Sequence, residues 1–474
     1  MTHAVINRLI AHFQQSLSAL GACASMQDVE RLAMVVHRCM GAPSRAYHDT
    51  AHVFALCTGA TPIQTLAALF HDTVYCQLDA GLPSALQPVL AKVVREHDGQ
   101  LLLDGTDATT AHDPVLRMVC GVFGFRTGQV LPAYGGMNEF LSAVAAARLL
   151  APLLPMQTLL HICTCIEATI AFRTVPPETP HALEQLHQRV LSQLQLAPVG
   201  LAPEAAEAAA QAMLLDAVAL ANRDVSGFAE ANPAVFLSQT WLLIEESNKP
   251  LASVGLYTLR EYRGALQRME AFLCQLHPTS VFQSWHATPD TQALVSMTAL
   301  AASNIGFSLR YLRAKLMAMA VLEAFAQLSG GDAPIAMLLG DVSEYTTSGM
   351  SPHLRATGPV ALDIDAALHD VLAHGRSSSS QADLSASPTT AFLYQAIGEQ
   401  GLAQRWPATV QFFADALRPW DYLQRWPAAT LLPLLNLCID NAISRQQPLL
   451  ALRQRLQDEA TSTPAPTHCA ALAA

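Results

Sequence analysis

The sequence predicts an all-α protein, and three observations lead to that prediction. Hydrophobic residues make up 51% of the 474 residues, charged residues 14% and aromatic residues 6%, which favours a large core of alanine and leucine. Apolar residues recur at helical spacing along most of the chain. Runs that alternate between apolar and polar residues, as strands do, are almost absent.

The helical pattern is clear in eight segments after the amphipathic N-terminal helix predicted within residues 1–20. They cover residues 26–40, 63–70, 138–154, 156–172, 180–194, 202–221, 259–276 and 291–328. The most apolar stretch, residues 140–172, contains Arg148, Pro152, Pro155 and Glu167, which are costly in lipid. We therefore expect a buried helix pair there and no membrane span.

Breaks in the helical pattern suggest how the chain is divided. Gly330-Gly331-Asp332 interrupts it, and the following segments are rich in Gly, Ser, Thr and Pro. We predict one domain over residues 1–335, an irregular linker over 336–388, a C-terminal helical region over 389–460, and a disordered tail over 461–474. The pentapeptide Gln-Arg-Trp-Pro-Ala occurs at 404–408 and again at 424–428, so these copies are either paired helix starts or a coincidence.

Charge and cysteine content exclude several classes of protein. The formal net charge is −11 and no basic stripe is present, so a general nucleic-acid binder is not expected. The ten cysteines are scattered, without the spacing of a zinc ribbon or a small disulfide framework. The sequence therefore favours a cytoplasmic protein without a membrane span.

Two short segments carry the residue types of a metal site. His48 and His52 stand four residues apart, and on a helix they would share one face. His71 and Asp72 follow an apolar helix that would anchor them in a core. Imidazole and carboxylate together suit a divalent transition metal such as manganese, iron or zinc, and magnesium is a further candidate. A fourth ligand should be a carboxylate from elsewhere, and Asp224 is the preferred one.

The fourth ligand has one competitor, Asp216. Asn222 and Arg223 make the surroundings of Asp224 polar, whereas Asp216 is flanked by apolar residues. The dipeptide His-Asp alone is not diagnostic, because it occurs five times in the chain. We expect turns or helix caps at the copies that begin at residues 97 and 112, whereas the copy at 369 lies on a predicted helix and lacks a partner pair.

Four motifs together resemble a known superfamily. The first two are Arg45-x-Tyr47-His48-x-x-x-His52 and Ala67-Ala68-Leu69-Phe70-His71-Asp72-x-Val74-Tyr75. The others are Asn138-Glu139-x-x-Ser142-Ala143 and the Asp-containing segment 214–224. Over about residues 30–230 the chain resembles the HD superfamily, especially its branch of predicted metal-dependent phosphohydrolases. The resemblance implies an HD-type helical bundle, here with additional C-terminal helices.

The resemblance also implies roles for individual residues. His52, His71, Asp72 and Asp224 would hold the metal. His48 is similar to the histidine with which distant cyclic-nucleotide phosphodiesterases protonate the leaving oxygen; the alternative is a packing histidine.

Three more residues complete the predicted site. Glu139 is either a base or an exposed acid at a helix start, and Asn138 beside it is assigned to substrate binding. Arg173 either holds a phosphate in two-point fashion or caps a helix.

Two features depart from the family pattern. Two-metal phosphodiesterases usually place another histidine three residues after the dyad aspartate, where this chain has Tyr75. A single metal is therefore expected. About sixty residues are inserted before Asn138, including the Gly-rich run 121–129, which is either a loop over the site or a plain surface turn.

Three functions are compatible with this reasoning. The first is a metal-dependent phosphohydrolase or phosphodiesterase acting on a phosphate ester or nucleotide. The second is a non-catalytic HD-type protein that senses a ligand, with the C-terminal region docking a protein partner or a second copy. The third is an HD-type di-iron oxygenase with extra ligands from His97 or His112.

Overall fold

The protein is mostly helical, in agreement with the predicted all-α class. A computed structural model describes residues 4–104, 113–173, 181–252, 256–340, 354, 360–379, 383 and 385–462. Its first helices and strands are α1 Val5–Ala19, α2 Met26–Met40, α3 Thr50–Cys57, α4 Pro62–Phe70, α5 Cys76–Asp79, α6 Gln87–Leu90, β1 Val94–His97, β2 Gln100–Leu103, α7 Pro114–Phe123, α8 Met137–Leu150, α9 Met156–Ala168, α10 Ala182–Gln195 and α11 Pro203–Asp224.

The second half of the chain continues as helices. They are α12 Pro233–Glu246, α13 Leu259–Gln275, α14 Thr291–Ser329, α15 Ile335–Leu339, α16 Ala366–His374, α17 Pro388–Phe413, α18 Pro419–Leu423, α19 Ala428–Asn441 and α20 Gln446–Ser462. Short 3₁₀ turns cover 226–229, 249–252, 278–280 and 443–445. The prediction of helices after residue 389 is confirmed.

Capping residues explain where several helices begin. Ser25 accepts a hydrogen bond from the Asp28 amide, and the Asp28 carboxylate in turn accepts one from the Ser25 amide. Thr61 and Gln64 make the same reciprocal arrangement before α4, whose first residue is Pro62. The predicted helix at 26–40 is confirmed, and the one predicted at 63–70 is confirmed to within one residue.

One β-hairpin was missed. Strands β1 and β2 pair antiparallel, with Val94 opposite Leu103 and His97 opposite Gln100. Asp98 and Gly99 form the turn, both with positive φ. Each strand has only four residues, which is too short for an alternating pattern to be seen. The turn predicted at His97-Asp98 is confirmed.

The core of the N-terminal half surrounds α9. This helix packs against α4, α7, α8 and α11, and its residues from Leu159 to Ala168 are buried apart from His161. Within α8, Arg148 is satisfied by the Asp113 carboxylate and the Val89 carbonyl. The expected buried helix pair is therefore confirmed as α8 and α9. Among the described residues, no helix has the length and apolar character needed to cross a membrane.

The chain divides into two compact units at positions other than the predicted boundary near residue 335. The first unit comprises residues 1–231 and 276–303, and the second comprises 232–275 and 304–474. The Gly-Gly break at 330–331 ends α14, but it does not separate the units, because the division at 303 falls inside that helix. Within the predicted linker, residues 341–353, 355–359, 380–382 and 384 lie outside the described residues, and the described part contains α16 and most of α15. Residues 463–474 of the predicted tail also lie outside the described residues.

The repeated pentapeptide does not form two equivalent helix starts. Pro427 is the N-cap of α19, as expected of such a start. Pro407, by contrast, lies inside α17. The two copies therefore occupy different structural positions and do not form a structural repeat.

Candidate metal centre

Four predicted side chains converge at one point in the first unit. His52 comes from α3, His71 and Asp72 from the end of α4, and Asp224 from the end of α11. Nε2 of His71 lies 2.8 Å from Oδ2 of Asp72, and Nε2 of His52 lies 3.0 Å from Oδ1 of Asp224. The ligand atoms of His52, His71 and Asp72 all lie within 4.8 Å of one another, so this cluster could hold a metal ion.

The sequence around α4 explains how His71 is oriented. Every residue of α4 from Ile63 to Phe70 is buried, which fixes the end of the helix in the core. His71 follows as the C-cap, and its Nδ1 lies 2.8 Å from the Ala68 carbonyl oxygen. A carbonyl only accepts, so Nδ1 carries a proton, and loss of the second ring proton leaves a lone pair on Nε2. Such a bond on the far nitrogen is typical of metal-ligating histidines.

The second ring nitrogens of both histidines lack a hydrogen bond. Nε2 of His52 and Nε2 of His71 are buried and form no hydrogen bond, although carboxylate oxygens lie 3.0 Å from the first and 2.8 Å from the second. An unsatisfied buried nitrogen is costly, so its persistence calls for an explanation such as an ion that the structure does not contain. The residues present therefore fit a divalent metal.

The charges of the cluster support the same interpretation. Burial lowers the pKa of His71, but the Asp72 and Asp224 carboxylates outweigh it and raise that pKa well above its usual value. Burial would raise the pKa of Asp72, yet His71, His48 and His52 hold it far below its usual range. For Asp224 the same competition, with His52 and His71, leaves a pKa of about 2. Both carboxylates are therefore ionised and attract a cation.

The structure corrects the predicted relation between His48 and His52. Asp49 is the N-cap of α3 and accepts hydrogen bonds from the amides of Ala51 and His52. The helix therefore begins at Thr50, so His48 precedes it and the two histidines do not share a helix face. Their rings are nevertheless neighbours, with centroids 5.9 Å apart.

Asp224, and not Asp216, reaches the histidines. Asp216 pairs with His161, with 3.0 Å between its Oδ2 and Nε2 of the histidine. Its carbonyl and carboxylate also accept hydrogen bonds from Gln64. The polar neighbours of Asp224 fix the helix end, since Arg223 donates to the Leu56 carbonyl.

Arg45 supports the site through its contacts, a role that was not predicted from the sequence. Its buried guanidinium binds Asp79 at 2.7 and 3.2 Å, and its Nη1 donates to the Asp72 carbonyl at 2.5 Å. Burial lowers the pKa of Arg45, but Asp79 raises it above its ordinary value. Arg45 therefore holds the main chain of Asp72, a residue of the candidate metal site, in place. The signal available in the sequence was its position in the first motif.

The segment Asn138 to Ser142 holds the chain that follows Asp72. The Asn138 amide donates to Gln77 at 2.8 Å and accepts from the Cys76 main chain at 3.1 Å. One turn later, the Ser142 hydroxyl accepts from the Val74 main chain at 3.0 Å. Asn138 was predicted to bind substrate, but its side-chain amide is engaged by protein groups, and the contacts describe a positioning role.

Glu139 lies in the first turn of α8 and is not an exposed acid. Burial is the main reason that its pKa is raised to about 7, and the negative charge of Asp72 adds to the effect. The positive charge of Arg173 opposes it. Its carboxyl is thus electrostatically coupled to the metal centre and changes protonation near neutral pH.

Arg173 has the geometry of a helix cap. It donates to the Ile170 carbonyl at 3.2 Å, to the Glu167 carboxylate at 2.7 Å and to the Glu167 carbonyl. Arg189 binds the same carboxylate oxygen at 2.5 Å. Arg173 and Glu167 line a cavity of about 250 Å³ whose described wall contains none of the four clustered residues. These contacts correspond to the capping alternative.

Among the described residues, His97 and the Gly-rich run belong to features other than the cluster. His97 is an exposed hairpin residue paired with Asp98, and His112 is outside the described residues, although Asp113 caps α7 as expected. The run 121–129 contributes to the wall of another cavity, of about 700 Å³, which contains none of the four clustered residues in its described part.

Comparison with known proteins identified no relative of this chain. No protein-family model, no curated protein and no solved structure matches the chain. The function therefore has to be inferred from the geometry of the site.

Proposed function

We propose that this protein is a single-metal phosphohydrolase of the HD type, acting on a phosphate ester or nucleotide. One observation carries the proposal: the buried, unbonded Nε2 atoms of His52 and His71 converge with the carboxylates of Asp72 and Asp224. Two imidazoles and two carboxylates form a donor set suited to manganese, iron or zinc. The resemblance of the surrounding motifs to HD phosphohydrolases supports the choice of reaction.

A bound divalent ion would lower the pKa of a water molecule and polarise a phosphoryl oxygen. Glu139, with a pKa of about 7, is suited to accept the proton of the attacking water. We assign the donation of a proton to the departing oxygen to His48, whose ring lies beside that of His52. Asn138 and Ser142 keep the segment after Asp72 in register with these groups.

We propose one metal and not two. The position at which two-metal relatives carry a further histidine is occupied by Tyr75, whose ring packs on His48 with 4.9 Å between centroids. The described residues contain a single cluster of three or more metal-binding side chains, and it consists of His52, His71 and Asp72. One metal per chain is the expected stoichiometry.

Metal analysis combined with turnover tests the proposal. The protein, purified after supply of manganese, iron, zinc or magnesium, should contain about one equivalent of metal and hydrolyse bis-p-nitrophenyl phosphate or a member of a nucleotide panel. His71→Ala/Asp72→Ala should lose both the metal and the activity. His97→Ala is the control, because His97 is exposed in the hairpin turn.

Two results would overturn the proposal. One is metal content in the double variant equal to that of the wild type. The other is the absence of hydrolysis by metal-loaded wild-type protein across the whole panel.

A ligand-sensing protein is the second candidate function. The second compact unit favours it, because residues 232–275 and 304–474 add a body that phosphate hydrolysis does not require. Under this alternative the metal-loaded protein binds a nucleotide without turnover. Calorimetric titration of nucleotides beside the activity assay distinguishes the two.

A further inference from the structure

The second unit contains a small cavity at the start of α17. Its volume is about 80 Å³. Its lining combines apolar residues, including Met319, Ile335 and Leu339, with polar residues, including Lys315 and Thr390. A cavity lined by both kinds of residue suits a small amphiphilic molecule.

Lys315 brings a buried ammonium group to this cavity. Its side chain is 4% exposed, and its Nζ lies 2.9 Å from the Asp383 carboxylate and 2.9 Å from the Ser387 hydroxyl. It also lies 4.6 Å from the centre of the Trp241 ring. An ammonium has three hydrogens, and within the described chain these two oxygens accept two of them. One donor therefore remains for a ligand.

The first turn of α17 adds further donors. Thr389 and Thr390 line the cavity and are 7% and 2% exposed, yet neither hydroxyl makes a hydrogen bond within the described residues. Ser387, the N-cap, makes no side-chain capping bond because its hydroxyl faces Lys315. The first-turn amides are therefore also uncapped, and a helix N-terminus attracts anions. Both threonines line the cavity, where a ligand with an acceptor would meet their hydroxyls.

We propose that this cavity binds a small monocarboxylate. The carboxylate would lie against Lys315, Thr390 and the first turn of α17, and a short apolar tail would pack on Met319 and Leu339. The volume of about 80 Å³ is about five to eight times what one water molecule needs on the same measure, which favours a ligand of a few heavy atoms. Phosphate fits less well, because Asp383 would repel a doubly charged anion and the apolar wall would leave one of its oxygens unsolvated.

Calorimetric titration of the full-length protein with sodium acetate and sodium propionate tests this site. Both should bind, and propionate should bind about fourfold more tightly, which corresponds to about 0.8 kcal/mol for one buried methylene. Sodium chloride and propan-1-ol should give no binding heat. Binding of phosphate in place of acetate, or the absence of any carboxylate binding, would overturn the proposal.

A matched pair of variants assigns the binding to this cavity. Thr390→Val removes a hydroxyl that has no protein partner, so folding should be unchanged while acetate affinity falls at least tenfold. Thr430→Val is the control, because Thr430 is fully buried in α19, has an unbonded hydroxyl and does not line the cavity.

Lys315→Met should abolish binding, and if this variant does not fold, Thr390→Val decides. Equal acetate affinity in Thr390→Val and Thr430→Val would refute the proposal. The candidate metal site lies in the first unit, so the amount of metal that it holds should not change the acetate affinity of this cavity.

Discussion

Replacing Arg45 with methionine tests how the metal-binding turn is held. The Arg45 guanidinium is fully buried and binds both Asp79 oxygens, and the Asp79 side chain is 8% exposed. Removing one partner of a buried ion pair leaves the other charge uncompensated, which costs about 3–5 kcal/mol in the free energy of unfolding. Methionine keeps much of the apolar stem, so most of this loss is electrostatic.

The double variant Arg45→Met/Asp79→Leu separates the ion pair from the contact with Asp72. It removes both charges, and it should regain most of the stability that Arg45→Met loses. The hydrogen bond from Arg45 to the Asp72 carbonyl stays absent in both variants. Metal affinity should therefore remain about 10–100-fold weaker than in the wild type even where stability is restored, because groups that orient a ligand have effects of that size.

Urea unfolding followed by circular dichroism measures stability, and titration with manganese against a fluorescent chelator measures affinity. His97→Ala serves as the surface control, because that side chain is exposed. Metal affinity in the double variant equal to that of the wild type would refute the idea that Arg45 positions Asp72. A double variant as unstable as Arg45→Met would refute the account of the buried charge.

Three further predictions concern pH and backbone conformation. Because the pKa of His71 is raised, a metal has to displace a proton from it at neutral pH. Metal affinity should therefore rise about tenfold per pH unit below that pKa, and calorimetry should detect the released proton. A metal affinity that does not change with pH would contradict this. Gly136→Ala should lower the free energy of unfolding by more than about 2 kcal/mol, because Gly136 has a φ of 96° and an added Cβ would clash with Ile170. Gly21→Ala is the control: its Cβ would meet nothing within 4 Å, so thermal unfolding should show only the backbone strain of about 1 kcal/mol. Burial raises the pKa of Glu323 to about 7 from its ordinary value of 4.5, so the folded protein binds a proton that the unfolded chain releases. The stability that this proton provides, up to about 3 kcal/mol, is lost as pH rises between those values. Glu323→Gln should therefore flatten the pH profile of urea unfolding between about pH 5 and 8, and an unchanged slope would disprove the assignment.

Much of the fold could be predicted because helices carry a local signal. The apolar period located α2, α4 and α14 closely, and Ser25 and Pro62 mark helix starts in the sequence itself. The hairpin at 94–103 could not be found in the same way, because four-residue strands contain too few alternations. The division into units was also invisible, since α14 continues through it without a break in pattern.

The candidate site was predictable where its residues are adjacent in sequence. His71 and Asp72 follow a continuously apolar helix, and the upstream pair His48 and His52 distinguished them from the other His-Asp dipeptides. Arg45 was different, because its importance rests on contacts with Asp72 and Asp79 that exist only in the folded chain. The position of His48 was misjudged because Asp49 was not recognised as a helix cap.

The convergence of His52 and Asp224 has a consequence for the way in which the first unit unfolds. The two residues are separated by 224 − 52 = 172 positions, so a metal that both bind would act as a cross-link closing a very long loop. By the loop-entropy argument used for disulfides, such a link disfavours the unfolded chain by about 4–5 kcal/mol. A chelator would then lower the temperature at which this unit unfolds, so the metal would stabilise the fold in addition to its role in the reaction.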